Sequence, residues 1–271
     1  MSQRYFDSHV HSSNSPDASP DTVEMIAASA REKGLAGVCI TDHCDVNCYE
    51  EWGCGTCMEG SFRDVAAAKE RFNRDGFFVG MGIELGQPLQ ALDKVAEVMA
   101  MGKYDFVLGS LHNGDQYEDY HYIDSRMDPW TITENYYDTM LRTAQWGQFD
   151  AMAHMTLPLR YVKGRDEVVD FHLGPYEERI QEILRVLAQT GKGIEINTSG
   201  LRQQIQETMP TLPYLKRFRQ LGGEIVTLGS DSHNAHDLAA GFAVAAQMLR
   251  EAGFSHFAYF RDRKPVMVPL D

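Results

Sequence analysis

Two hydrophobic periods alternate along this chain. Short runs such as Leu35-Ala36-Gly37-Val38-Cys39-Ile40 are apolar almost throughout, as strands buried on both faces are. Between them lie segments whose apolar positions mostly share one helical face, for example Phe62, Val65, Ala66, Ala68 and Phe72. The pattern predicts strands at residues 5–10, 35–41, 77–85, 104–111, 149–153, 193–197 and 224–228. It predicts helices at 20–33, 61–74, 89–101, 131–145, 176–189, 212–220 and 235–251, and a last apolar run near 257–260. Ser19 or Asp21 is available to cap the first helix. Repeated βα units without a low-complexity linker indicate one α/β domain over residues 1–271, either a doubly wound sheet or a barrel.

The polar residues decide between the two. His9 and His11 close the first strand, and side chains at i and i+2 of a strand point the same way. His43 follows in Thr-Asp-His, Glu84 in Gly-Ile-Glu, His112 in Gly-Ser-Leu-His, His154 in Ala-Met-Ala-His, and Asp231 with His233 in Gly-Ser-Asp-Ser-His. Six of the ten histidines thus stand at or just past the carboxyl end of a predicted strand. His121, His172, His236 and His256 do not. In a (β/α) barrel those ends converge on one face; an open sheet spreads them apart. Histidine and carboxylate donors in this number suit two or three divalent transition metals, and Glu84, with two oxygens, is the natural bridge. Nitrogen-rich sites accept zinc, iron or manganese.

Composition narrows the function. A net charge of −14 argues against a nucleic-acid or anionic-membrane partner. No apolar run is long enough to span a bilayer. No basic region followed by an apolar stretch opens the chain, and the five cysteines (Cys39, Cys44, Cys48, Cys54, Cys57) are odd in number, so a cytoplasmic protein with reduced thiols is expected. Cys44-x3-Cys48 and Cys54-x2-Cys57 also resemble metal-ligand spacing.

The ordered set His-Val-His, Thr-Asp-His, Gly-Ile-Glu, Ser-Leu-His, His154 and Gly-Ser-Asp-Ser-His resembles the PHP (polymerase and histidinol phosphatase) family and, within it, the histidinol-phosphate phosphatases. The resemblance covers essentially the whole chain. It implies a distorted (β/α)7 TIM-like barrel with a trinuclear centre. One metal would take His9, His11, Glu84 and Asp231; a second Glu84, His112 and His154; a third Asp17, His43 and His233. Asp17 departs from the many relatives that have histidine there, but aspartate is also a ligand.

The chemistry expected is hydrolysis of a small-molecule phosphate monoester, most specifically L-histidinol phosphate in histidine biosynthesis, by a hydroxide that bridging metals generate. Arg160 and Arg202 resemble the phosphate-binding arginines of those phosphatases, and the guanidinium fork matches phosphate. Lys163 is a further candidate. Asp42 either supports the ligands from behind or protonates the leaving alkoxide, with His233 as its rival for that proton. Residues 113–128 place Asp115, Glu118, Asp119 and Asp124 among Tyr117, Tyr120, His121 and Tyr122, a loop suited to a cationic amine and an imidazole or simply a solvated surface. The segment 44–60, with Trp52, is a possible second wall. Alternatives are a phosphatase of the same family acting on phosphotyrosine or nucleotides, a metal-dependent amidohydrolase, and a metal-binding domain without activity.

Overall fold

β1 (Phe6–Val10), β2 (Gly37–Ile40), β4 (Phe78–Gly86), β5 (Phe106–Ser110), β6 (Ala151–Met152), β7 (Gly193–Asn197) and β8 (Val226–Gly229) run parallel and neighbour one another in that order. The structure, a computed structural model, describes residues 4–17, 20–113, 128–162 and 172–270. Between β2 and β4 the chain breaks at Thr41-Asp42 and resumes as β3 (His43–Asp45), which pairs with the far end of β4. The break has a local cause. Thr41 is tied to β1 by its backbone N–H, which donates to Val10 O (2.8 Å), and by its Oγ1, which accepts from Val10 N (3.0 Å).

Every residue of these parallel strands is buried, because helices pack against the outside of the sheet. The helices are α1 (Val23–Glu32), α2 (Cys54–Phe72), α3 (Leu92–Ala100), α4 (Pro129–Trp146), α5 (Pro158–Val162), α6 (Glu177–Gln189), α7 (Leu212–Gln220) and α8 (Phe242–Glu251). α6 shows the logic: Ile180, Ile183, Leu184 and Leu187 are its buried positions, spaced as one face of a helix.

Closure of the sheet is partial. Among the described residues no ladder joins β1 to β8. A single bridge sets Val10 beside Ser232, with Asp231 N–H donating to His9 O and His11 N–H to Ser232 O, both at 2.9 Å. β9 (His256–Arg261) adds to β8, stacks Tyr259 on Phe6 at 4.2 Å, and turns back antiparallel as β10 (Lys264–Pro269). This is the distorted seven-stranded arrangement expected, drawn together at the carboxyl end where His9, His11 and Asp231 lie.

Several boundaries differ from expectation. Thr22, not Ser19 or Asp21, caps α1, accepting from Met25 N–H at 3.3 Å; Asp21 instead accepts from Ala235 N–H at 2.6 Å, and Ser19 lies outside the described residues. α2 starts at Cys54 rather than 61, because Gly55 and Gly60 mask its helical period. α8 starts at Phe242 rather than 235, since Ala239 (φ 57°) and Gly241 (φ 84°) are left-handed and Ala239 N–H is drawn to Asp7 at 2.8 Å. β10 was not expected, for Pro265 and Pro269 suit only an edge strand. No helix is long and apolar enough to cross a membrane among the described residues.

Candidate metal centre

The strand ends bring His9, His11, His43, Glu84, His112, His154, Asp231 and His233 to one place, and the turn after β1 adds Asp17. Donor atoms group as His9, His11 and Glu84; as Glu84, His112 and His154; as His11, Asp17, His43 and His233; and as His43, Asp45 and His112. Two donors each about 2.1 Å from a tetrahedral ion lie about 3.4 Å apart. Around the first position the observed separations are 3.2 Å (His9 Nε2 to Glu84 Oε2), 3.6 Å (His11 Nε2 to Glu84 Oε2), 3.4 Å (His11 Nε2 to Asp231 Oδ1) and 3.8 Å (His9 Nε2 to Asp231 Oδ1). Around the second, Glu84 Oε1 is 3.0 Å from His112 Nε2 and 2.9 Å from His154 Nε2. Around the third, Asp17 Oδ2 is 3.4 Å from His43 Nε2 and bonded to His233 Nε2.

The donors suit cations in a second respect. His9 Nε2 and His11 Nε2 are buried and make no hydrogen bond. Buried polar atoms are rarely left so, and here they converge on a shared centre. Asp231 is held in a left-handed conformation (φ 52°), which is costly for a residue with a Cβ and is typical of functional sites. Its Oδ2 accepts from Asn197 Nδ2 (3.2 Å) and Ser199 Oγ (3.1 Å), which leaves Oδ1 toward His9 and His11.

Charge is distributed unevenly over the rings. Burial and the neighbouring His43 and His233 push His11 down to about 3, so it stands neutral and ready to ligate. Burial opposes protonation of His112 as well, but Asp45 and Glu84 raise it to about 9. His9 and His43 are likewise raised by carboxylates against the effect of burial. Cation uptake at pH 7 is therefore expected to release protons, since an imidazole must be neutral to ligate. Affinity should rise with pH above neutrality, as His112, His9 and His43 give up their protons. Calorimetry in two buffers of different protonation enthalpy checks this; identical heats would refute it.

Asp42 stands apart. It is fully buried, and its carboxylate accepts from Ser12 N–H (2.5 Å), Ser12 Oγ (2.8 Å) and Ser61 Oγ (2.5 Å). Burial raises its pKa. It anchors the turn between His11 and Asp17 to α2 and does not open to the mouth of the cluster. Arg202 lies beside the cluster, its Nη2 donating to Ser230 O at 2.8 Å and its Nε 3.5 Å from Asp237. Arg160 sits on α5 beyond His154, with its guanidinium 5.6 Å from the Tyr161 ring centre. Lys163 and the acidic residues 115–124 lie outside the described residues. No cysteine joins a group of three or more metal donors among the described residues, none of the five forms a disulfide, and within the 44–60 segment Cys44, Cys48, Cys54 and Met58 are buried in the core while Glu50, Glu51, Thr56 and Glu59 are exposed. His172, His236 and His256 join none of these donor groups.

Two residues of this site were missed in the sequence. Glu195 on β7 lies 2.6 Å from His9 Nδ1, and Asp45 on β3 lies 2.8 Å from His112 Nδ1. Both are about 1% exposed. The available signal was a carboxylate inside an otherwise apolar strand, as in Gly-Ile-Glu-Ile-Asn.

Relatives point the same way. The PHP domain family matches residues 7–199. A probable histidinol-phosphatase of Clostridium acetobutylicum is 31% identical over 248 residues, 90% of this chain and 92% of that one. The histidinol-phosphatase of Lactococcus lactis is 26% identical over 95% of each chain. A crystal structure of histidinol phosphate phosphatase from Lactococcus lactis, in complex with zinc, L-histidinol and phosphate, matches with a TM-score of 0.79 and 25% identity over 97% of this chain and 99% of that one. A family match over most of the chain, and a convergent donor set in the fold of such a phosphatase, lead to one conclusion: the chain belongs to the PHP family.

Proposed function

We propose that this chain is a metal-dependent phosphomonoester hydrolase whose substrate is L-histidinol phosphate, in histidine biosynthesis. The observation that carries the reading is the convergence of buried histidine and carboxylate donors on Glu84, on a chain similar along nearly its whole length to histidinol-phosphatases. His9, His11, Glu84 and Asp231 would hold one ion, Glu84, His112 and His154 a second, and Asp17, His43 and His233 a third. Zinc is the metal we favour over iron or manganese, because a relative of the same fold was solved with it. When bound, the ions supply Lewis acidity to the phosphoryl oxygens and lower the pKa of water.

The remaining work falls to side chains. Arg160 and Arg202 hold the phosphoryl oxygens; Arg202 is oriented for this by Ser230 and Asp237. His233, 38% exposed and bonded to Asp17, is the candidate that can meet a leaving alkoxide, whereas Asp42 is enclosed. Asp17 raises the His233 pKa against burial, which favours the protonated donor form. Its Nε2 serves either that proton or an ion, so the acid and the third position compete for one atom. We place the reaction in the cytoplasm, with no nucleic-acid or membrane partner.

A panel of phosphomonoesters tests the substrate. Histidinol phosphate should rank first in kcat/KM, at least about tenfold above the others, a difference of about 1.4 kcal/mol in the transition state. A flat ranking, or a preference for phosphotyrosine peptides or nucleotides, would overturn the assignment.

A further inference from the structure

We propose that Glu195 is a positioning residue that imposes the metal-binding tautomer of His9 and ties two ion positions together. The inference rests on the metal-dependent reading above but not on any substrate. Glu195 lies within β7 and is 1% exposed. A carboxylate so placed is tolerated only if its oxygens are hydrogen-bonded. Oε1 is 2.6 Å from His9 Nδ1, and Oε2 accepts from the backbone N–H of His154 at 3.0 Å and from Asn197 Nδ2 at 3.3 Å. His9 belongs to the first proposed position and His154 to the second, so one carboxylate seats a ligand of each. The fold reserves the space: at Gly229 on β8 a Cβ would collide with Glu195 Oε1.

The tautomer follows from the pairing. A carboxylate accepts and does not donate. The proton of a neutral His9 ring therefore stays on Nδ1, and the Nε2 lone pair faces Glu84 and Asp231. The device is selective. Nδ1 of His11 and Nδ1 of His154 have no hydrogen-bond partner among the described residues, so nothing comparable fixes those rings. His112 has its own carboxylate partner, Asp45, for which Gly86 leaves room in the same way.

An amide at position 195 would offer one acceptor and one donor where three N–H groups, on His9, His154 and Asn197, now donate; with its oxygen kept on the His154 and Asn197 side, its NH2 would face His9 Nδ1. The conflict is relieved if His9 moves its proton to Nε2, and that proton then points at the ion position. Glu195→Gln should therefore weaken zinc binding at the position that uses His9 by about 10- to 100-fold. Glu195→Asp keeps the charge and should recover part of the loss.

The experiment compares full-length wild type, Glu195→Gln and Glu195→Asp by zinc titration against a competing chelator, with thermal melting of each zinc-free protein alongside. The expected result is one zinc weakened in Glu195→Gln, partial recovery in Glu195→Asp, and zinc-free melting within a few degrees of wild type. Unchanged zinc affinities in Glu195→Gln would overturn the proposal, as would a zinc-free melting loss large enough to account for the weakened binding. Nitrogen NMR of zinc-loaded wild type tests the tautomer without any variant: His9 protonated at Nδ1 supports it, and ligation through Nδ1 overturns it. If wild type itself binds no zinc, the metal-dependent reading falls first. A failed phosphate-ester panel leaves these outcomes untouched.

Discussion

Glu84→Ala is expected to abolish phosphate-ester hydrolysis and to empty at least two ion positions. Glu84 Oε2 is 3.2 Å from His9, 3.6 Å from His11 and 2.8 Å from His43, while Oε1 is 3.0 Å from His112 and 2.9 Å from His154. Five histidines thus converge on one carboxylate that is 1% exposed. Burial opposes its charge, but His43, His9 and His112 hold its pKa well below the usual range, so it is ionised. Removing it strips a shared ligand from two positions. Metal stabilisation of a phosphoryl transition state contributes several kcal/mol, so a loss of at least about three orders of magnitude in kcat is expected. Turnover and elemental analysis on the same preparation check this. A variant that kept near-native turnover, or two to three metals per chain, would refute the bridging role.

Chelation should have an effect of similar size and should be reversible. Treatment with a strong chelator is expected to reduce turnover to background, and added zinc to restore it. Stability should follow. Ions that bind only the folded chain stabilise it by about 4 kcal/mol at a thousand-fold excess over their dissociation constant. For a chain of this size that is a fall in melting temperature on the order of 10 °C when they are removed. The physical cause is visible in the site. Glu84, Glu195, Asp45 and the rings of His9 and His11 are all about 1% exposed or less, and without cations His9 Nε2 and His11 Nε2, which face the centre, make no hydrogen bond. Full turnover in protein shown to be metal-free would sink this expectation.

Much of the fold was legible because its cause is local. The alternation of apolar runs with one-faced helical segments follows from strand and helix geometry and needs no tertiary contact. The elements that escaped are those whose residues contradict their own periodicity. α2 hides its first turns behind Gly55 and Gly60, β10 carries two prolines, and α8 loses its expected first seven residues to left-handed turns that answer a buried carboxylate, Asp7. The donor set was legible for a similar reason: its members other than Asp17 are polar residues at or near the end of an apolar strand, a conspicuous placement, whereas Asp17 stands in the turn after β1 and was suggested only by the family resemblance.

What remained hidden was every relation between distant segments. His9 and Glu195 are separated by 186 positions, and nothing local to either announces the other. The same holds for Asp45 and His112, for the bridge that sets Val10 beside Ser232, and for the enclosure of Asp42 by Ser12 and Ser61. The sequence by itself determined that strand-end histidines and acids recur in an order suited to binding several cations in a parallel α/β fold. Only the tertiary structure decided how those ends meet, which carboxylates stand behind which rings, and that Asp42 is sealed while His233 faces the mouth. The reason is physical: strand alternation is set by neighbours in the chain, whereas a hydrogen-bond partner across the sheet is set by where the sheet curls, and that curl is a property of all its strands together.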